Sequence, residues 1–166
     1  MISNVLFSSK SDEWSTPQTL FDTLNEEFHF TLDPCATDEN AKCKMYYTIS
    51  ENGLEKTWTG YCVFCNPPYS QIQKWVKKCA EEARKGATVV MLIPARTDTR
   101  WFHDYIYKKA DIRFIKGRLR FSDSKNTAPF PSMIVIWNGG MADLISRQAA
   151  IDAEDKPYAA DDGSPV

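Results

Sequence analysis

The segment of the sequence best suited to chemistry is Asn66-Pro67-Pro68-Tyr69, because it combines hydrogen-bond acceptors with an aromatic ring. Proline has no N–H group, so the two prolines stiffen the backbone and leave its carbonyl oxygens available. The Asn66 side-chain carbonyl and a neighbouring backbone carbonyl can then accept both hydrogens of one planar amine. The Tyr69 ring can stack on a flat heterocycle. The segment therefore indicates a site for an exocyclic amino group, although it also fits an ordinary strand-to-helix turn.

Elements that can position this segment are predicted on both sides of it. Residues 61–65 form an apolar run typical of a strand buried on both faces, and residues 88–93 form a second one. Between them, apolar residues keep helical spacing over 72–83. Upstream, Thr16 can cap a helix whose first position suits Pro17. The other predicted elements are strands at 28–32, 45–49, 112–115, 118–121 and 133–137 and a helix at 99–109.

Buried strands that alternate with amphipathic helices predict an α/β domain with a mainly parallel sheet over residues 1–138. Ligands of such sheets bind beyond the carboxyl ends of the strands, where Asp33, Asn66 and Pro94 fall. Residues 139–166 are polar and acidic, which predicts a flexible tail with one short helix at 144–153.

The composition of the 166 residues favours one cytoplasmic domain without a membrane segment, because no apolar run reaches the roughly 18 residues that span a bilayer. The start of the chain lacks the basic and apolar regions of a secretory signal, so the five cysteines are predicted to be reduced. Cys62 and Cys65 have the spacing of a zinc site, but within a strand they point to opposite faces. We therefore predict core cysteines and no metal.

The charge is distributed unevenly along the chain, although its net value is only −2. Residues 1–70 carry 4 Lys and Arg against 10 Asp and Glu, whereas residues 71–138 carry 14 against 6. A basic region can bind a polyanion or form a solvated face, and Arg118 and Arg120 can instead pair with Asp111 or Asp123. The candidates for contacts with DNA phosphates are Arg96, Arg100, Arg118, Arg120 and Lys125.

Four segments together resemble the small phage-type DNA N6-adenine methyltransferases. Asn-Pro-Pro-Tyr after an apolar strand is similar to their catalytic motif, and Trp14-Ser15-Thr16-Pro17 resembles the segment before their cofactor motif. Leu32-Asp33-Pro34-Cys35-Ala36 resembles the start of the S-adenosylmethionine motif. Arg118-Leu119-Arg120-Phe121, with residues 129–137, resembles their closing hairpin. The resemblance covers residues 12–138.

The resemblance implies a Rossmann-like fold with an antiparallel closing hairpin, S-adenosylmethionine as cofactor, and an adenine that leaves the DNA duplex. Tyr69 would stack on this base, while Asn66 and the Pro67 carbonyl would bind its N6 amine. Glu51 would bind the ribose hydroxyls of the cofactor. The implied catalytic residues are Asn66, Pro67, Pro68 and Tyr69, and the implied cofactor-binding residues are Trp14, Thr16, Pro17, Asp33, Pro34, Cys35, Ala36 and Glu51.

The chain departs from most relatives at one place, because Ala36-Thr37-Asp38 stands where they have a Gly-x-Gly turn. The next glycine is Gly53. A catalytically idle fold that binds nucleic acid is therefore one alternative. Another is methylation of protein glutamine or RNA adenine, since such enzymes also use Asn-Pro-Pro-Tyr and the chain has no room for a separate recognition domain.

Overall fold

The computed structural model describes residues 14–122 and 124–139, and the predicted tail helix lies outside them. Within this part of the chain, no helix is long and apolar enough to cross a membrane. The helices and strands are, in chain order, α1 (Gln18–Phe28), β1 (Leu32–Asp33), β2 (Met45–Tyr46), β3 (Cys62–Cys65), α2 (Ile72–Arg84), β4 (Thr88–Pro94), α3 (Arg100–Tyr105), β5 (Asp111–Phe114) and β6 (Ser132–Trp137).

The six strands form one sheet in the order β2-β1-β3-β4-β6-β5. The first four are mutually parallel, with Cys65 of β3 opposite Met91 of β4. β6 runs antiparallel to both of its neighbours, and Ser132 at its start lies opposite Pro94 at the end of β4. The predicted α/β class, the mainly parallel sheet and its antiparallel closure are confirmed. The ends of β3, β4 and β5 and the start of β6 therefore share one edge of the sheet.

Hydrophobic clusters on both faces of the sheet make this a three-layer arrangement. Val63, Cys65 and Met91 pack with α2 and α3 on one face, and Phe64 and Val90 pack with α1 on the other. This alternation follows from the pleat of the strands, which directs successive side chains to opposite faces. It explains why the runs at 61–65 and 88–93 are apolar at nearly every position.

Two predicted strands are wrong in position. Over residues 28–32, the apolar pattern belongs partly to α1, which continues to Phe28 and ends where His29 adopts a left-handed conformation with φ 54°. Only Leu32 of that stretch pairs in the sheet. Residues 118–121 form no strand, because Phe121 is buried beneath the sheet and the neighbouring Leu119 carbonyl accepts a hydrogen bond from the Ala128 amide at 2.7 Å. The strand that closes the sheet against β6 is β5.

Element ends differ from the predictions for local reasons. α1 begins after Pro17 without a side-chain cap, because Pro17 occupies the cap position and has no side-chain acceptor. The Thr16 hydroxyl accepts a hydrogen bond from Asn66. α3 is shorter than the predicted helix at 99–109, although Thr99 caps it by accepting a hydrogen bond from the Phe102 amide. β2 comprises only the first two residues of the predicted strand at 45–49.

A buried carboxylate joins α2 to the chain segment before β3. Glu82 is fully buried, and its oxygens accept hydrogen bonds from the Lys78 ammonium at 2.7 Å, the Lys85 ammonium at 3.1 Å and the Trp58 amide at 2.7 Å. Burial opposes ionisation, but these three donors together hold the pKa of Glu82 below its usual value. The Trp58 indole in turn donates to the Gly53 carbonyl at 3.1 Å. The network therefore fixes the turn that contains Gly53.

Replacing Glu82 by Gln is expected to lower the free energy of unfolding by about 3 kcal/mol, because the half-buried Lys78 ammonium loses its charged partner. Urea denaturation at pH 7 measures the effect. Glu81→Gln is the matched control: its ion pair with Lys77 is solvent-exposed, with an N···O distance of 3.8 Å, so a change of only about 0.5 kcal/mol or less is expected. Equal losses in the two variants would contradict a special role for Glu82.

Candidate active site

A cavity of about 360 Å³ opens at the carboxyl ends of β1 and β3. This volume lies within the range of about 300–1,000 Å³ that is typical of sites for small ligands and cofactors. Three chain segments form most of its wall: 14–16 before α1, 33–37 after β1, and 66–68 after β3. The other residues that line it are Asn40, Lys42, Thr48, Ile49, Asn52, Gly53, Leu54, Phe64, Gln71 and Trp75.

The side-chain amide of Asn66 is held in one orientation. Its nitrogen donates to the Trp14 carbonyl oxygen and, at 2.9 Å, to the Thr16 hydroxyl, so both amide hydrogens are used. The carbonyl oxygen Oδ1 is buried and accepts no hydrogen bond from the described residues. A buried acceptor without a donor destabilises the fold by about 1–3 kcal/mol. A ligand in the cavity that donates a hydrogen bond to Oδ1 would remove this cost.

Tyr69 follows Asn66 but does not line the cavity. Its ring meets Phe130 edge to face, with ring centroids 5.5 Å apart, and Phe130 contacts Trp14 in the same manner at 5.5 Å. The Tyr69 hydroxyl is buried without a partner among the described residues, and burial raises its pKa well above the usual value. Phe130 thus bridges the two residues that flank Asn66 and covers this end of the site.

Asp33 at the end of β1 is the buried carboxyl of the cavity wall. Its two oxygens accept hydrogen bonds from the backbone amides of Lys42, at 3.1 Å, and Cys35, at 3.4 Å. Burial disfavours the charged form and raises the pKa of Asp33 to about 6, and these two hydrogen bonds only partly oppose the shift. The carboxyl is therefore poised to ionise when a cation enters the cavity.

Gly53 brings the turn at 53–55 into direct backbone contact with Pro34. A Cβ atom added at Gly53 would lie 2.0 Å from the Pro34 carbonyl oxygen and 3.0 Å from its carbon. Both atoms belong to the backbone, so no side chain can move aside to make room. Only glycine therefore lets the turn at 53–55 close the cavity against Pro34.

The structure places most of the predicted cofactor residues in the cavity wall, but not all of them. Pro17 and Glu51 do not line it. The Glu51 carboxylate accepts hydrogen bonds from the Thr48 amide at 2.8 Å and the Thr48 hydroxyl at 3.1 Å, so it stabilises a local turn beside a shallower depression. The predicted residues that do line the cavity are Trp14, Thr16, Asp33, Pro34, Cys35, Ala36, Asn66, Pro67 and Pro68.

Cys62 and Cys65 lie on opposite faces of the sheet, as the strand pattern predicts. Cys62 donates from its sulfur to the Phe28 carbonyl on the α1 face of the sheet. Cys65 lies in the opposite core, with its sulfur 3.7 Å from that of Cys35. Burial raises the pKa of Cys35 and of Cys65, which favours neutral thiols. In residues 14–122 and 124–139, no group of three His, Cys, Asp or Glu side chains is arranged to hold a metal ion.

The five basic residues proposed for DNA contacts are exposed and belong to segments at the same edge of the sheet as Asn66. Arg96 and Arg100 follow β4, and the other three belong to the connection between β5 and β6. The Ala95 amide donates to the Pro131 carbonyl at 2.9 Å, which joins the two segments. None of the five forms an ion pair within the described part of the chain.

No sequence pattern predicts several residues of the cavity wall. Asn40, Lys42, Thr48 and Asn52 come from residues 37–52, where short strands and turns leave no hydrophobic period to interpret. Trp75 has the helical spacing of a core residue, so the sequence pattern predicts a position in the core and not in the cavity wall. The one available signal was Gly53, which follows Asn52 in a typical turn dipeptide.

The profile of the family described as DNA N-6-adenine-methyltransferase (Dam) matches residues 3–163. The chain belongs to this family. The family predicted from the sequence is therefore confirmed. The fold brings the segments around Asn66 and Asp33 to a single cavity.

Individual proteins to which the chain is similar come from bacteriophages and a bacterium. The DNA N-6-adenine-methyltransferase of Escherichia phage T1 is 34% identical over 110 residues, which are 65% of this chain and 46% of that protein. The protein of the same name from Haemophilus phage HP1 (strain HP1c1) is 33% identical over 121 residues, or 70% of each. The putative methyltransferase YfdM of Escherichia coli (strain K12) is 38% identical over 65 residues. The chain thus spans about half of the T1 protein.

Replacing Gly53 by Ala is expected to destabilise the fold by about 2–3 kcal/mol and to displace the turn from Pro34, because the added methyl group meets backbone. Urea denaturation measures the loss of stability. Titration with a ligand of the cavity measures the effect of the displaced turn on binding. In the control Gly60→Ala, the Cβ atom meets nothing within 4 Å and only the positive φ of 82° is unfavourable, so about 1 kcal/mol is expected with unchanged ligand binding. Similar behaviour of the two variants would refute the contact with Pro34.

The pKa of Asp33 predicts a pH-dependent contribution to stability. Between about pH 4 and pH 6 the unfolded chain loses the Asp33 proton while the folded chain keeps it, so stability falls as the pH rises through this window. The contribution amounts to about 3 kcal/mol. Asp33→Asn is expected to remove it, so that the variant gains stability relative to the parent chain between pH 4 and pH 7. If the urea midpoints of the parent chain and of Asp33→Asn changed equally with pH, the raised pKa of Asp33 would be contradicted.

Proposed function

We propose that this chain transfers a methyl group from S-adenosylmethionine to the N6 amino group of adenine in DNA. Membership of the DNA N-6-adenine-methyltransferase family supports the reaction, and the phage relatives support action on DNA in a bacterial cytoplasm. The sheet order, with one antiparallel strand between parallel neighbours, supports a Rossmann-like methyltransferase fold.

The observation that carries the proposal is the fixed amide of Asn66. Because both of its hydrogens bind Trp14 and Thr16, it can present only an acceptor to a ligand. An adenine N6 amine would donate one hydrogen to Asn66 Oδ1 and the other to the Pro67 carbonyl. Two acceptors in one plane draw the nitrogen lone pair out of the ring system and direct it toward an electrophile. Positioning and electrostatics suffice, with no covalent enzyme intermediate.

The cavity fits the methyl donor by its size, charge and lining. S-adenosylmethionine supplies a methyl group on a positively charged sulfur. We assign Asp33 to the cationic part of the donor, because it is the acidic residue among the described lining residues. We assign the ribose hydroxyls to Thr48 and Asn52, which line the cavity, in preference to Glu51, which does not.

The DNA side of the proposal involves the covered end of the site. An adenine would leave the duplex, at a cost of a few kcal/mol, and stack on Tyr69. Phe130 contacts the Tyr69 ring edge to face, so a movement of Phe130 would change how much of this ring a base can reach. Phe130 belongs to the connection between β5 and β6, which also contains Arg118, Arg120 and Lys125. Phosphate contacts of these residues would couple DNA binding to the exposure of Tyr69.

The decisive experiment incubates the chain with methyl-labelled S-adenosylmethionine and DNA that lacks adenine methylation, and identifies the labelled nucleoside by mass spectrometry. The expected product is N6-methyladenine. RNA and a protein mixture serve as competing substrates in parallel reactions. Label in N4-methylcytosine, RNA or protein alone would overturn the proposed substrate, and absence of both transfer and donor binding would favour an idle fold.

In the same assay, Asn66→Ala is expected to lower kcat at least about 100-fold, as removal of a preorganised polar group at a reacting centre does elsewhere. Thr16→Val removes one acceptor that orients the amide, and an intermediate loss of about tenfold is expected. Thr19→Val, at an exposed position of α1, is the matched control with unchanged activity. Full activity of Asn66→Ala would exclude the proposed mechanism.

A further inference from the structure

Among the described residues that line the cavity, two have side chains that can carry a full charge. Asp33 contributes a carboxyl group and Lys42 an ammonium group, while the remaining lining residues are apolar or neutral and polar. A ligand with separated positive and negative groups therefore has one complementary partner for each. The neutral thiol of Cys35 adds no third charge.

The backbone holds the two charged residues next to each other. The Lys42 amide donates to the Asp33 carboxyl at 3.1 Å, so the two residues cannot separate without breaking this bond. The Lys42 ammonium does not form an ion pair with Asp33 within the described part of the chain. It donates instead to the side-chain oxygen of Gln18 at 2.7 Å, a neutral acceptor at the start of α1. Since an ammonium group has three hydrogens, it retains donors for a ligand.

We propose that Lys42 binds the α-carboxylate of the methyl donor, with Asp33 facing the positive charges of the same amino-acid end. This inference rests on the proposed function, which supplies a donor with such an end. Lys42 thereby fixes which way the donor lies in the cavity. The apolar side chains of Ile49, Leu54 and Trp75 remain for its adenine ring.

Lys42 lies outside the motif segments and would contribute to ligand specificity. The α-carboxylate distinguishes a donor that has a complete amino-acid end from nucleosides that lack this end. Lys42 would therefore make the site reject truncated adenosine thioethers, which match the rest of the cavity. A charge-assisted hydrogen bond of this kind contributes about 1.5–3 kcal/mol, which corresponds to about 10- to 100-fold in affinity.

The test compares two ligands by isothermal titration calorimetry. S-adenosylhomocysteine has the carboxylate, whereas 5′-methylthioadenosine lacks the whole amino-acid end. Lys42→Gln is expected to weaken binding of S-adenosylhomocysteine at least about tenfold and to leave 5′-methylthioadenosine within about twofold. Lys42→Arg keeps the positive charge and is expected to retain affinity for both ligands within a few fold.

Lys44→Gln is the matched control, because this exposed lysine lies two residues away and does not line the cavity. Both affinities are expected to remain unchanged in it. Equal weakening of both ligands by Lys42→Gln would overturn the inference and indicate a purely structural role. Unchanged binding of S-adenosylhomocysteine would overturn it as well, while leaving the proposed function intact. If the parent chain bound neither ligand, the proposed cofactor itself would be wrong, and the role of Lys42 with it.

Discussion

The two hydrogen bonds of the Asn66 amide nitrogen connect parts of the chain that are 50 residues or more apart in sequence. They join the end of β3 to the segment before α1, and that segment forms one side of the cavity. Thr16 lies one position before the cap residue Pro17, and α1 starts without a side-chain cap. The orientation of the candidate catalytic oxygen and the closure of the cavity thus depend on the same contact.

The turn at 53–55 closes the cavity by direct backbone contact with Pro34, which restricts the residue that can occupy the contact point. A side chain is excluded where the turn at 53–55 meets the Pro34 carbonyl, and Gly53 satisfies this condition. The turn itself is held by Trp58, which Glu82 anchors to α2. The buried ion network of Glu82 therefore helps to define the wall of the candidate cofactor site.

The sequence predicted the parts of the fold that have a strong hydrophobic period. β3, β4, β6 and α2 are all long or fully buried, and their apolar residues indicate both type and position. The predicted strand at 118–121 was wrong because its alternation reflects Phe121 packing under the sheet rather than backbone pairing. In the candidate site, Asn66 and Asp33 were predictable from strand ends. Lys42 was not predictable, because its position depends on a contact with the distant Asp33 carboxyl. For Gly53, the Asn-Gly dipeptide indicated a turn but not the contact with Pro34.

The buried oxygen of Asn66 also affects which nucleobases can occupy the site. Adenine and cytosine present an amino group at the corresponding edge, whereas guanine O6 and thymine O4 present oxygen. An oxygen there would leave the acceptor unpaired and add repulsion between two lone pairs. Under the proposed function, this acceptor would therefore disfavour the keto bases, and the choice between the two amino bases would depend on the shape of the surrounding pocket.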